Sequence, residues 1–140
     1  MTTVDKGTSH ELRIESTFKT IFNEKEFDVS QSKGSGNQRH DGDIQVKAKK
    51  GPYKNLMYVE CKNFSSLSVP SIDQIHKARQ QASQLGYYTS CTILNNKNGE
   101  DIVSMTMEDF KFLLELAAKA APAIDPKKPT MESIREKMRS

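Results

Sequence analysis

The sequence predicts an α/β (α+β) fold, a central mixed β-sheet flanked by helices in the order α-β-β-β-α-β-β-α. Three observations carry this. Apolar residues recur at helical spacing in three separate stretches. Two mid-chain stretches alternate apolar and polar residues on either side of a Gly-Pro turn. Strands and helices do not alternate one for one, as a doubly wound parallel sheet would need, so mixed strand directions are expected.

The elements follow in order. Residues 9–25 read as a first helix, with Ser9 as its cap and Leu12, Ile14, Phe18, Ile21 and Phe22 on one face. Phe27–Ser32 reads as a short strand that ends in the turn-rich KGSGN of residues 33–37. Asp43–Ala48 alternates, with Asp43, Gln45 and Lys47 on one side and Ile44, Val46 and Ala48 on the other. Leu56–Lys62 is a second strand of the same kind, and Gly51-Pro52 between them predicts a hairpin. Pro70 precedes Ser71-Ile72-Asp73-Gln74, a capping-box pattern. The helix it starts should bury Ile72, Ile75, Ala78, Ala82 and Leu85 and stop at Gly86. Tyr88–Leu94 and Asp101–Met105 read as strands about the turn at residues 95–99. Thr106 and Asp109 resemble another capping box, opening a helix through Phe110, Leu113, Leu114, Ala117 and Ala118. Residues 1–118 thus form one domain, and 119–140 a basic, proline-punctuated tail. Met131, Ile134 and Met138 in that tail could line a short amphipathic helix.

Composition narrows the class. The 140 residues suit one domain with its own core. No apolar run approaches the roughly 20 residues that span a bilayer, and no apolar leader segment opens the chain, so a cytoplasmic protein is expected. Two cysteines, Cys61 and Cys91, are too few for a disulfide scaffold or a four-cysteine zinc site. The net charge of +3 is uneven: residues 1–118 balance at 15 basic and 15 acidic, and the tail holds the excess. Within the balanced part, residues 33–62 carry seven basic and three acidic side chains, which suits a polyanion-facing surface or a solvated turn.

The candidate chemistry lies in that segment. Alternation puts Glu60 and Lys62 on one strand face and Cys61 on the other. Folding about Gly51-Pro52 brings position 43 opposite position 60, where Cβ atoms lie about 4.5–5.5 Å apart. Asp43 and Glu60 would then converge on one hard cation such as Mg²⁺, with the backbone carbonyl of Cys61 as a further oxygen ligand. Mn²⁺ should substitute. Lys62 would hold an attacking water or stabilise charge on a phosphorane-like transition state. An ordinary Glu–Lys mixture on an exposed sheet face is the plainer alternative.

The sequence of features resembles the PD-(D/E)XK nuclease superfamily, and within it the archaeal-type Holliday-junction resolvases. The residues that carry the resemblance are Lys6-Gly7, Glu15 with Phe18, Phe22 and Phe27, Ser35-Gly36, Asp43-Ile44, and the YVECK run Tyr58–Lys62. It covers roughly residues 6–118. It implies a restriction-endonuclease-like sheet and a metal-dependent DNA endonuclease, acting as a homodimer on branched or four-way-junction DNA. Asp43 and Glu60 would be the metal ligands, Lys62 the catalytic lysine, Glu15 the acid from the first helix, and Ser35 a loop contact to the scissile strand. Glu11 competes with Glu15, being one turn away on the same helix face, and the Phe register favours Glu15. Asp41 competes with Asp43, which leads directly into the Ile44/Val46 alternation. Lys33 and Arg39 are candidate phosphate contacts, and Gln74 falls near the site if its helix packs beside the Glu60 strand. Alternatives to the junction resolvase are a restriction-type or nicking endonuclease on duplex DNA, and a non-catalytic nucleic-acid-binding module with the nuclease fold.

Overall fold

The computed structural model describes residues 3–31, 42–63 and 67–123. It is mixed α/β, with helices flanking a five-stranded mixed sheet. The elements are α1 (Thr3–Ile21), β1 (Phe27–Gln31), β2 (Gly42–Ala48), β3 (Asn55–Lys62), α2 (Ile72–Leu85), β4 (Thr89–Asn95), β5 (Asp101–Ser104) and α3 (Met107–Ala120). A 3₁₀ turn at Ala121–Ala123 follows α3. The strands lie in sequence order. Every neighbouring pair is antiparallel except β3–β4, which is parallel and joined through α2. A parallel pair needs such a crossover, whereas the antiparallel pairs can be closed by turns.

One face of the sheet carries the main core. Val29, Ile44, Val46, Val59, Cys61, Cys91 and Ile93 meet Ile14, Phe18 and Phe22 of α1 and Phe112, Leu113 and Leu116 of α3. Phe22 and Phe27 close the α1–β1 corner edge to face, with ring centroids 4.9 Å apart. Asn23 turns that corner: its Oδ1 accepts from the Glu26 amide at 3.0 Å. That Asx turn ends α1 at Ile21, short of the predicted residue 25. The helix also begins earlier, at Thr3, so Ser9 lies inside it and does not cap it.

The other face is covered by α2, where Tyr58, Ala82 and Tyr87 form a second, smaller core. The predicted cap of α2 is present in full: Ser71 accepts from the Gln74 amide, and the Gln74 side chain accepts from the Ser71 amide. Gly86 ends the helix in the left-handed conformation at φ 81°, which glycine adopts without steric cost. The predicted inner face is only partly right. Ala78 and Ala82 are buried, whereas Ile72 is 68% and Leu85 44% exposed. Small side chains let α2 lie close over the Tyr58 and Tyr87 rings, and the larger ones turn outward.

The inner face of α3 is set by one buried charge. Phe110 and Leu114 are exposed, and Phe112, Leu113 and Leu116 pack inward. The cause is Asp109, 2% exposed in the first turn. Its carboxylate accepts from Arg79 of α2, from Thr106 Oγ1 at 2.8 Å, from Thr89 Oγ1 at 3.1 Å, and from the Ser90 amide and hydroxyl at 3.2 and 3.3 Å. Burying Asp109 against β4 turns the neighbouring Phe110 to solvent. One carboxylate thereby joins α2, β4 and α3, and a buried charge supplied with this many donors is compatible with the folded state.

A second tie links the first helix to the last strand. Arg13 of α1 grips Asp101 of β5 with both guanidinium nitrogens, Nη2 lying 2.8 Å from Oδ1. Arg13 Nη2 also donates to His10 Nδ1 at 3.1 Å, which fixes His10 as the neutral tautomer with its proton on Nε2, facing the Ile93 carbonyl at 3.4 Å. Burial pushes the His10 pKa below its ordinary value. The Arg13 bond holds the Asp101 carboxyl down at about 2.

Two outcomes are expected. Asp109→Ala strips a part-exposed Arg79 of its counterion and four other donors of their acceptor, and should cost about 1–3 kcal/mol in urea unfolding. A loss below about 1 kcal/mol would remove Asp109 from this role. Acid should weaken the fold in two stages. The His10 contribution falls as pH drops below about 6.5, because the unfolded chain takes up a proton that the folded chain resists. The Asp101 contribution, present above about pH 4, is lost as pH falls toward 2. Arg13 is half exposed, so solvent screening limits this second term to about 1 kcal/mol. Thermal melts against pH check both, and Arg13→Ala should abolish the lower stage while the upper one, set mainly by burial of His10, persists in weakened form.

Candidate metal and catalytic site

The β2–β3 ladder pairs Asp43 directly with Glu60, and Ile44 with Val59. A register shift between Val46 and Lys47 absorbs the asymmetry of the turn before it reaches the site. Ile44 and Val59, both fully buried, point into the main core. Asp43 and Glu60 must therefore point to the opposite face, beneath α2, because strand side chains alternate. Tyr58 and Lys62 share that face with Glu60.

The two carboxylates meet at one hydroxyl. Tyr58 Oη lies 2.8 Å from Asp43 Oδ2 and 3.0 Å from Glu60 Oε2. It has one proton to donate, so at any moment it satisfies one of the two. Burial, then the charges of Glu60 and Asp43, push the Tyr58 pKa far up, which keeps the hydroxyl a donor. Lys62 Nζ lies 3.5 Å from Glu60 Oε1, and both side chains are largely shielded, at 14% and 19% exposure. The Tyr58 ring is 2% exposed and packs on Tyr87, with centroids 6.0 Å apart. Tyr87 in turn donates to Gln45 Oε1 at 2.8 Å.

This donor set fits a hard divalent cation. The oxygens are carboxylate oxygens, two formal negative charges converge on one hydroxyl, and the Cys61 carbonyl lies between Glu60 and Lys62 along the strand. Among the described residues no group of three or more His, Cys, Asp or Glu side chains could enclose a metal ion. A cation held by Asp43, Glu60 and one carbonyl would keep several waters, as Mg²⁺ commonly does.

The two acids of α1 lie at different levels. Glu15 sits over the end of β1, accepting from Gln31 Nε2 at 2.8 Å and pairing with Lys19 at 3.1 Å. Glu11 lies one turn earlier on α1. Its neighbour His10 reaches Ile93, which pairs with Cys61 across β3–β4. Its charge is also the largest, after burial, of those that raise the Cys61 thiol. The two acids thus flank the Asp43–Glu60 rung, Glu15 on its Ile44 side through Gln31 and Glu11 on its Cys61 side.

The remaining candidates divide. Gln74 is on α2, and its side-chain oxygen is committed to the Ser71 cap. Lys33, Ser35, Arg39 and Asp41 lie outside the described residues, as do Ser32 and the tail from residue 124. Cys61 and Cys91 are buried free thiols, and burial raises the Cys91 thiol to about 12. Tyr88, half exposed, stacks on Phe112 at 5.8 Å and meets Tyr53 edge to face. Tyr58 is the site residue that sequence reasoning missed as a participant. The signal was available, since period two places positions 58, 60 and 62 on one face.

Among the described residues no helix is long and apolar enough to cross a membrane. No family model, curated protein or solved structure matches the chain.

Proposed function

We propose that this chain is a metal-dependent DNA endonuclease with a restriction-endonuclease-like fold, acting as a homodimeric junction resolvase. The observation that carries the reading is the direct opposition of Asp43 and Glu60 across β2–β3, with Lys62 beside Glu60 on the same face. The antiparallel β1-β2-β3 meander after α1, followed by a parallel crossover through α2, agrees with that fold.

In this reading Asp43 and Glu60 hold Mg²⁺ or Mn²⁺, with the Cys61 carbonyl as a third protein ligand. When bound, the cation polarises a phosphoryl oxygen and lowers the pKa of a coordinated water. Lys62, held by Glu60, presents its ammonium to the phosphate and stabilises the charge that builds during attack. Glu15 contributes the acid from the first helix, with Glu11, one turn away, as the alternative; the Glu15 partner Gln31 pairs with Ile44, one rung from Asp43. Basic residues of the 33–62 segment contact phosphates, which supply sequence-independent affinity. A two-fold dimer matches paired incisions on a four-way junction.

The test is cleavage of labelled four-way junction, flap, duplex and single-stranded DNA with Mg²⁺. Symmetric nicks confined to the junction are expected. Cleavage of plain duplex would instead make the chain a restriction-type or nicking nuclease, and binding without metal-dependent cleavage would leave a non-catalytic module. Asp43→Ala and Glu60→Ala should each lower the rate by on the order of 10³-fold, the scale of several kcal/mol of lost transition-state stabilisation. Glu15→Gln should slow cleavage more than Glu11→Gln, and the reverse order would put Glu11 in the site.

A further inference from the structure

Tyr58 is in an unusual place for a buried aromatic residue. Its ring belongs to the small core under α2, packed with Ala82 and Tyr87. Its hydroxyl leaves that core to reach two acids at once, at 2.8 and 3.0 Å. The acids belong to different strands, so the contact crosses the ladder as well as running along β3. Because the ring is 2% exposed and bounded by its neighbours, the position of the hydroxyl oxygen is fixed by packing. Each carboxylate is thereby held at one oxygen, and its plane is restricted about χ2 or χ3, torsions that are otherwise broad. Glu60 is held at both ends, since its other oxygen faces Lys62.

Resting on the reading that Asp43 and Glu60 hold a divalent cation, we infer that Tyr58 is the positioning residue of that site, orienting both carboxylates through one hydroxyl. Partners of metal-ligating groups set ligand orientation, and their loss typically lowers metal affinity about 10–100-fold. A hydroxyl shared by two ligands acts on both at once. It also brings them together before any cation arrives, at a separation that mutual repulsion would otherwise widen. The opposite role is physically distinct: a hydroxyl that merely fills the space of the cation would compete with it, and its removal would tighten binding.

The experiment is calorimetric titration of the full chain with MnCl₂, comparing wild type, Tyr58→Phe and Tyr88→Phe. The Tyr88 change removes a hydroxyl from the cluster around Phe112 and controls for general loss of a phenol. Tyr58→Phe should bind Mn²⁺ about 10–100-fold more weakly, with Tyr88→Phe unchanged. Equal or tighter binding by a folded Tyr58→Phe overturns the positioning role and leaves the cation site standing. Absence of Mn²⁺ binding by the wild type overturns the cation reading itself. A second measurement on the wild type does not depend on the variant folding. Mg²⁺ should perturb the near-ultraviolet absorbance of a tyrosine, and the perturbation should persist in Tyr88→Phe. A tyrosine spectrum indifferent to a cation that calorimetry shows to be bound also overturns the role.

Discussion

Two negative charges facing each other across a sheet need a reason to stay there. In this chain the β2–β3 ladder holds Asp43 opposite Glu60, and the backbone hydrogen bonds of that ladder oppose the repulsion. Much of the rest of the fold fixes that register. Ile44, Val46 and Val59 are fully buried on the other face, and a slip of one residue would drive the carboxylates into the core and these apolar groups out. The α1 helix seals the apolar side, α2 seals the Tyr58 side, and the parallel β3–β4 pair gives β3 a neighbour on each edge. A central strand paired on both sides is a stiff place to mount functional side chains, which suits a site requiring close geometry.

Charge is managed at three depths. Asp109 is almost wholly buried and is surrounded by donors from α2, β4 and its own N-terminal turn. Asp101 is partly exposed and is held by one bidentate arginine and by the Asn95 amide. Asp43 and Glu60 share a single hydroxyl, with a lysine beside one of them. The first two arrangements have donors enough for their acceptor oxygens and serve the fold. The third brings two carboxylates from neighbouring strands to one hydroxyl, the arrangement on which the proposed cation site rests.

Much of this was legible in the sequence, for identifiable reasons. The hairpin register could be read because Gly51-Pro52 marks the turn and the alternation on each side is clean. The α2 cap was legible because Ser71 and Gln74 are spaced for it, and the capping of α3 because Thr106 and Asp109 are. Helix faces were less legible. Counting apolar residues at helical spacing put Ile72 and Leu85 inside, whereas two inward alanines set the actual orientation of α2, and a buried Asp109 sets that of α3. The His10–Arg13–Asp101 tie joins residues 88 positions apart, and no local pattern encodes it. Glu11 and Glu15 lie one turn apart on α1, and their neighbours meet the rungs on either side of Asp43–Glu60.

The two thiols have a consequence beyond packing. Cys61 and Cys91 are the only cysteines in the chain, and both lie in the main core, on the two parallel strands at the centre of the sheet. Burial makes each a poor thiolate, so neither reacts while α1 and α3 are seated. An alkylating reagent then has access only when the helices lift from the sheet. The rate of thiol labelling becomes a clock for that opening, built into the natural sequence and read without adding any probe.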